Sequence, residues 1–131
     1  MATDKARKNQ LVQLANNVIK ASPAIYKNGV IESESFNGQI AAFSVAVAIS
    51  GLKPAMAIYY STTGNSSVDK SVIVDLLAKM YSEEKTFFNK DDFFKKIINA
   101  TDEEEQSLRK LIIEYAIALK LAIRTFKFKK P

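Results

Sequence analysis

Apolar residues recur along this chain at the spacing of one helix face. After a polar first segment, the clearest stretch places pairs of apolar residues three to four positions apart: Val72, Ile73, Leu76, Leu77, Met80 and Tyr81. A shorter stretch repeats the pattern with Phe93, Phe94, Ile97 and Ile98. Period-two alternation, which would indicate strands, is not evident. The pattern predicts an all-α fold: a compact bundle of about six helices forming one domain over residues 1–131.

Residues 39–50 are apolar on every side, which predicts a buried central helix enclosed by the others. Gly51 is expected to end that helix, and Pro54 suits the first turn of the next. Residues 40–60 also approach the length of a membrane span, but Gly51, Lys53 and Pro54 lie near the centre, so we expect two short helices and no membrane contact. Residues 61–67 are polar and predict a connector.

Helix starts carry local signals. Asn89 is placed to cap the helix that contains Phe93. Thr101 and Glu104 form a capping-box pattern at the start of the last helix, among the acids of residues 102–105. Acids are favoured at helix starts by the helix dipole, so this cluster is interpreted as structural rather than as a metal or acid–base site.

The chain contains neither cysteine nor histidine. Disulfides, thiolate metal sites, cysteine nucleophiles and the commonest general base are therefore excluded. The four glycines are far apart, so no phosphate-binding loop is present. We expect a non-catalytic protein without a cofactor or metal, and the absence of cysteine and of an apolar leader favours the cytoplasm.

Positive charge is concentrated near the C-terminus. The net charge is +5, and five cations follow the last acid, Glu114, in the sequence: Lys120, Arg124, Lys127, Lys129 and Lys130. The first three lie at i, i+4 and i+7, which predicts a basic ridge on one helix face, and residues 127–131 form a basic tail. Such a ridge suits a nucleic-acid backbone, although a solvated charged tail is the alternative.

Two further features bear on nucleic-acid binding. Phe128 lies between lysines beyond the expected helix end, and if exposed it could stack on a base. Lys5, Arg7 and Lys8 lie near the start of the first helix, where cations are mildly unfavourable. They form a second candidate nucleic-acid contact.

Gly51 and Leu52 are followed by an apolar helix, and the last helix has an acidic start. After that start comes a further pattern: Ser107, Leu108, Arg109, Tyr115, Ala116, Leu119 and Arg124. In these features, over roughly residues 39–126, the chain resembles the small subunit of the type III-B CRISPR effector, the Cmr complex.

The resemblance implies a compact, non-catalytic helical subunit of an antiviral ribonucleoprotein. Copies of such a subunit stack in a minor filament beside the backbone subunits and the large subunit, and help to hold target RNA paired to the guide RNA. A small subunit of a type III-A or type I effector is an alternative. A stand-alone basic helical nucleic-acid-binding or adaptor protein is another.

Overall fold

Six helices and one short hairpin make up the described part of the chain. The computed structural model describes residues 4–32, 35–60, 67–86 and 88–129. In chain order the elements are α1 (Asp4–Lys20), β1 (Tyr26–Lys27), β2 (Val30–Ile31), α2 (Phe36–Ser50), α3 (Leu52–Tyr60), α4 (Ser67–Glu84), α5 (Lys90–Ile98) and α6 (Asp102–Ile123). The predicted all-α fold is confirmed. Residues 61–66 of the predicted connector lie outside the described residues.

Helix α6 is the element around which the others are arranged. It packs most extensively against α1 on one side and α2 on another, and it also contacts α4. Its buried residues line the side that meets these helices: Leu108, Ile112, Tyr115, Ala116, Ala118, Leu119, Ala122 and Ile123. The α4 face predicted from its apolar pairs is likewise buried throughout.

The predicted helix ends are confirmed. The Asn89 side chain accepts a hydrogen bond from the backbone N–H of Asp92 at 2.8 Å. Thr101 and Glu104 form a complete capping box at the start of α6. Gly51 ends α2 with φ of 93°, a conformation that side chains disfavour, and Pro54 lies in the first turn of α3.

The expectation that α2 is enclosed on all sides is wrong. Its buried residues, Phe36, Ile40, Phe43 and Val47, occupy one face. On the outer side, Val45 is 56% exposed and Ile49 is 80% exposed. The sequence of α2 has no charged residue and therefore does not mark which side faces solvent. Helices α3, α4 and α6 cover only one side of it.

The expectation of no strands needs a small correction. β1 and β2 form an antiparallel hairpin in which Tyr26 pairs with Ile31 and Lys27 pairs with Val30. The turn between them is formed by Asn28 and Gly29, and both residues have positive φ (54° and 79°), as a two-residue hairpin turn requires. Strands of two residues are too short to produce a visible period-two pattern.

Three helices are tied together by one carboxylate. Glu84, at the end of α4, accepts a bidentate hydrogen bond from Arg7 of α1 and a hydrogen bond of 2.7 Å from the Tyr115 hydroxyl of α6. Burial alone would raise the pKa of Glu84, but the Arg7 and Tyr115 hydrogen bonds outweigh it, and the pKa lies below the usual value. Burial and the bond to Glu84 raise the pKa of Tyr115.

We predict that Glu84→Gln lowers the free energy of unfolding at pH 7 by about 1.5–3 kcal/mol, because hydrogen bonds to a charged group are lost. Glu84 has a lowered folded-state pKa, so its contribution is present above the ordinary glutamate pKa of 4.5 and is lost as pH falls through the folded value. Urea titrations from pH 7 to pH 3 should therefore show the gap between wild type and variant shrinking in acid. Exposed Glu83→Gln is the matched control. An equal loss in both variants would contradict the assignment.

Candidate nucleic-acid interface

Lys120 and Arg124 keep the helical relation predicted for the basic ridge, and Lys127 does not. Helix α6 ends at Ile123 with Arg124 at its C-cap. Lys120 is half-buried and Arg124 is exposed. The prediction that Lys127 shares their helix face is wrong, because the chain turns at Thr125, whose N–H and hydroxyl both bond to the Ala122 carbonyl.

Beyond that turn the chain runs alongside the hairpin. The Ile31 N–H donates to the Lys127 carbonyl at 2.7 Å, and the Lys129 N–H donates to the Ile31 carbonyl at 2.8 Å. These bonds make a parallel bridge between Ile31 and Phe128. β2 therefore has β1 on one edge and residues 127–129 on the other.

Strand alternation places three lysines on the outer side of this small sheet. Ile31 is fully buried and Phe128 packs against the core beside it, so Lys127 and Lys129 project to the opposite face. Lys27 flanks Tyr26, which pairs with Ile31, and so lies on the same outer face. We call Lys27, Lys127 and Lys129 the basic platform. Phe128 is half-buried and packs against the core, so the exposure on which base stacking depended is not met.

The cations of this region differ in how strongly they are engaged. Lys129 lies 3.3 Å from the Glu32 carboxylate, which offsets part of its charge. Lys27, Arg124 and Lys127 are exposed. Lys130, the last predicted cation, lies outside the described residues. The positive charge that remains available in this region is therefore carried mainly by Lys27, Arg124 and Lys127.

The N-terminal set of predicted cations is split by the structure. Arg7 is committed to Glu84 and lies 3.7 Å from Glu114, and the hydrogen bond to Glu84 raises its pKa. Lys5 and Lys8 are exposed on α1. Arg7 is thus paired within the fold, whereas Lys5 and Lys8 remain available to contact a ligand.

The two predicted cation sets lie at opposite ends of the α1–α6 pair. Arg7 meets Glu114 near the start of α1, and beyond the ends of both helices the Tyr26 and Phe126 rings pack edge to face at 5.3 Å. The two helices therefore run parallel. Along α6 the rise from position 114 to position 124 is about 15 Å. The structure does not merge the two sets into one patch.

Some cations were missed at the sequence level. Lys27 joins the platform only because the hairpin forms, and the Asn-Gly turn was the signal that could have found it. Arg109 and Lys110 are exposed on α6, and an Arg109 guanidinium N–H points to the Ala48 carbonyl of α2 at 3.5 Å. Both lie close to acidic residues in the sequence, so they do not stand out there as a cluster of positive charge.

The described residues offer few groups for chemistry other than cation contacts. Glu104, in the acidic run 102–105, serves the helix start, and hydrogen bonds from Thr101 lower its pKa. Among the residues that the structure describes, no group of three acidic side chains is arranged to hold a metal ion. In the same residues, no helix has the combined length and apolar character that a membrane crossing needs. Comparison with family models, curated proteins and solved structures gives no match to this chain.

We predict that Arg124→Ala with Lys127→Ala weakens binding to single-stranded RNA equally for different base sequences. Each lost phosphate contact should reduce the slope of log affinity against log salt by about 0.7. Fluorescence anisotropy with labelled RNA across a salt series measures this. Lys85→Ala with Lys95→Ala removes the same charge from other exposed sites and is the control. Equal effects of the two double variants would mean that only net charge matters.

Proposed function

We propose that this protein is a non-catalytic small subunit of a type III-B CRISPR effector, the Cmr complex, acting in the cytoplasm in antiviral defence. The supporting observation is that one small all-α domain carries both an exposed cationic end and large exposed apolar residues on its helices. A subunit that must contact both RNA and protein needs both kinds of surface. The sequence resemblance points to the same class.

In this role the cations supply contacts to the phosphate backbone of guide and target RNA. Phosphate contacts position a strand without reading its bases, which suits a subunit whose target is chosen by the guide. The apolar residues Val45 and Ile49 would meet backbone or large subunits or further copies of the chain. Isolated exposed apolar residues are common, but Ile49 is 80% exposed on a helix without charged residues.

Two alternatives use the same features. A small subunit of a type III-A or type I effector would share the helical fold and basic charge, and the subunits that accompany it would distinguish it. A stand-alone basic helical nucleic-acid-binding or adaptor protein would bind RNA or DNA without any effector subunit.

Affinity purification of the tagged protein from its host tests the proposal. We expect guide RNA and the other effector subunits to accompany the wild-type chain. Ile49→Glu should reduce recovery of those subunits, whereas Lys95→Glu, an exposed change on α5, should not. Recovery of the protein alone, or of unselected nucleic acid without subunits, would refute the effector assignment.

We also predict that the purified chain has no nuclease activity. Glu104 is used in the capping box of α6, and histidine is absent from the sequence. Incubation with single-stranded RNA and Mg²⁺ or Mn²⁺, followed by gel analysis, should leave the RNA intact. Cleavage that is abolished by Asp102→Ala and Glu104→Ala would show that those acids are catalytic.

A further inference from the structure

An apolar groove that none of the platform lysines lines runs between α1 and α6. Its volume is about 180 Å³, and its apolar floor consists of Leu11, Val12, Ile117, Ala118 and Leu121. Ile117 is 48% exposed and Leu121 is 44% exposed, so no element among the described residues covers these large apolar side chains. Lys8 and Glu114 complete the lining.

The charges around this groove follow a definite order. On α6, Lys110, Glu114, Ile117, Leu121 and Arg124 lie at i, i+4, i+7, i+11 and i+14, which places them on one face of the helix. On α1, Lys5, Lys8 and Val12 lie at i, i+3 and i+7 and also share a face.

Because α1 and α6 run parallel, residue numbers on both helices increase in the same direction along the groove. Lys5, Lys8 and Lys110 flank one end of the groove, and Arg124 lies toward the other. The acid between these ends, Glu114, is 3.7 Å from Arg7, which offsets its charge. Asp4 lies one turn before Lys8 on α1, so at this end three lysines face two acids. The groove is thus apolar at its centre, with an excess of cations at both ends.

We propose that the α1–α6 groove binds an amphipathic helix of another protein whose apolar face is flanked by acidic residues. A channel between two parallel helices accepts the side-chain ridges of a third helix. The stretch from Lys110 to Arg124 spans about 21 Å, the length of a helix of about 14 residues. Acids at both ends of such a helix would meet the cations, and its apolar side chains would cover Ile117 and Leu121.

A nucleic acid is a poorer fit for this groove. Its backbone would place charged phosphates over an apolar floor, and only the ends of the groove carry cations. This inference is drawn from the groove itself and stands independently of the effector assignment.

The test uses a fluorescein-labelled helical peptide of about 16 residues with leucines on one face and glutamates in its first and last turns. Fluorescence anisotropy should show saturable binding to the full-length protein. A peptide with lysines in place of the glutamates should bind at least about tenfold more weakly at low salt, and the difference should shrink as salt is added. No binding of the acidic peptide, or equal binding of both peptides, would overturn the proposal.

Leu121→Glu locates the binding site. It puts an acid on the groove floor and should weaken binding of the acidic peptide at least about tenfold, because apolar contact is replaced by repulsion. Ile58→Glu is the matched control, since it also replaces a large exposed apolar residue of a helix but lies on α3 outside the groove. It should change the affinity less than about twofold.

Ile117→Glu gives a second groove variant in case Leu121→Glu loses its helical circular-dichroism spectrum. Wild-type affinity in a folded groove variant would overturn the proposal. Light scattering after size-exclusion chromatography checks one rival occupant. A wild-type dimer that Leu121→Glu converts to monomer would show that a second copy of the chain occupies the groove, and would overturn the proposal of a different protein.

Discussion

The burial of α6 is the constraint on which the rest of the structure depends. This helix of 22 residues has α1, α2 and α4 packed around it, and its fixed position determines where each of them can lie. The carboxylate of Glu84 reinforces the arrangement, since it holds α1 through Arg7 and α6 through Tyr115. Between Leu111 and Ile123 only Ile117 and Leu121 of this helix are exposed. Lys110 and Arg124 lie on the same face, so the proposed groove surface is what the packing leaves free.

Ile31 has a comparable role for the C-terminal segment. It is fully buried, it lies opposite Tyr26 in the hairpin, and its backbone N–H and carbonyl both bond to residues 127–129, so it joins the hairpin to that segment. The side of the sheet that faces the core is settled by Ile31 and Phe128. The outward direction of Lys27 and Lys127 follows from the alternation of side chains along a strand. The burial of Ile31 therefore decides that lysines lie on the outer face of the small sheet.

Sequence reasoning succeeded where the deciding interactions are local. The caps at Asn89 and Thr101 depend on contacts within one helical turn, and the buried face of α4 is marked by polar residues opposite it. It failed where the deciding partner is distant. Lys127 leaves the helical path because the chain pairs with Ile31, about a hundred positions earlier, and Phe128 is covered for the same reason. Helix α2 has no polar side, so only its neighbours decide that Ile49 faces solvent.

The two cation sets therefore belong to two different proposed surfaces, the α1–α6 groove and the basic platform. Lys5 and Lys8 lie at the end of the groove near Glu114, with apolar side chains between them and the C-terminal cations. Arg124 belongs to both regions, because it ends the groove and adjoins the platform. A helix in the groove and a phosphate backbone on the platform would each draw on this one guanidinium. Since a single guanidinium satisfies a limited number of anionic oxygens, occupation of one surface should alter the affinity of the other.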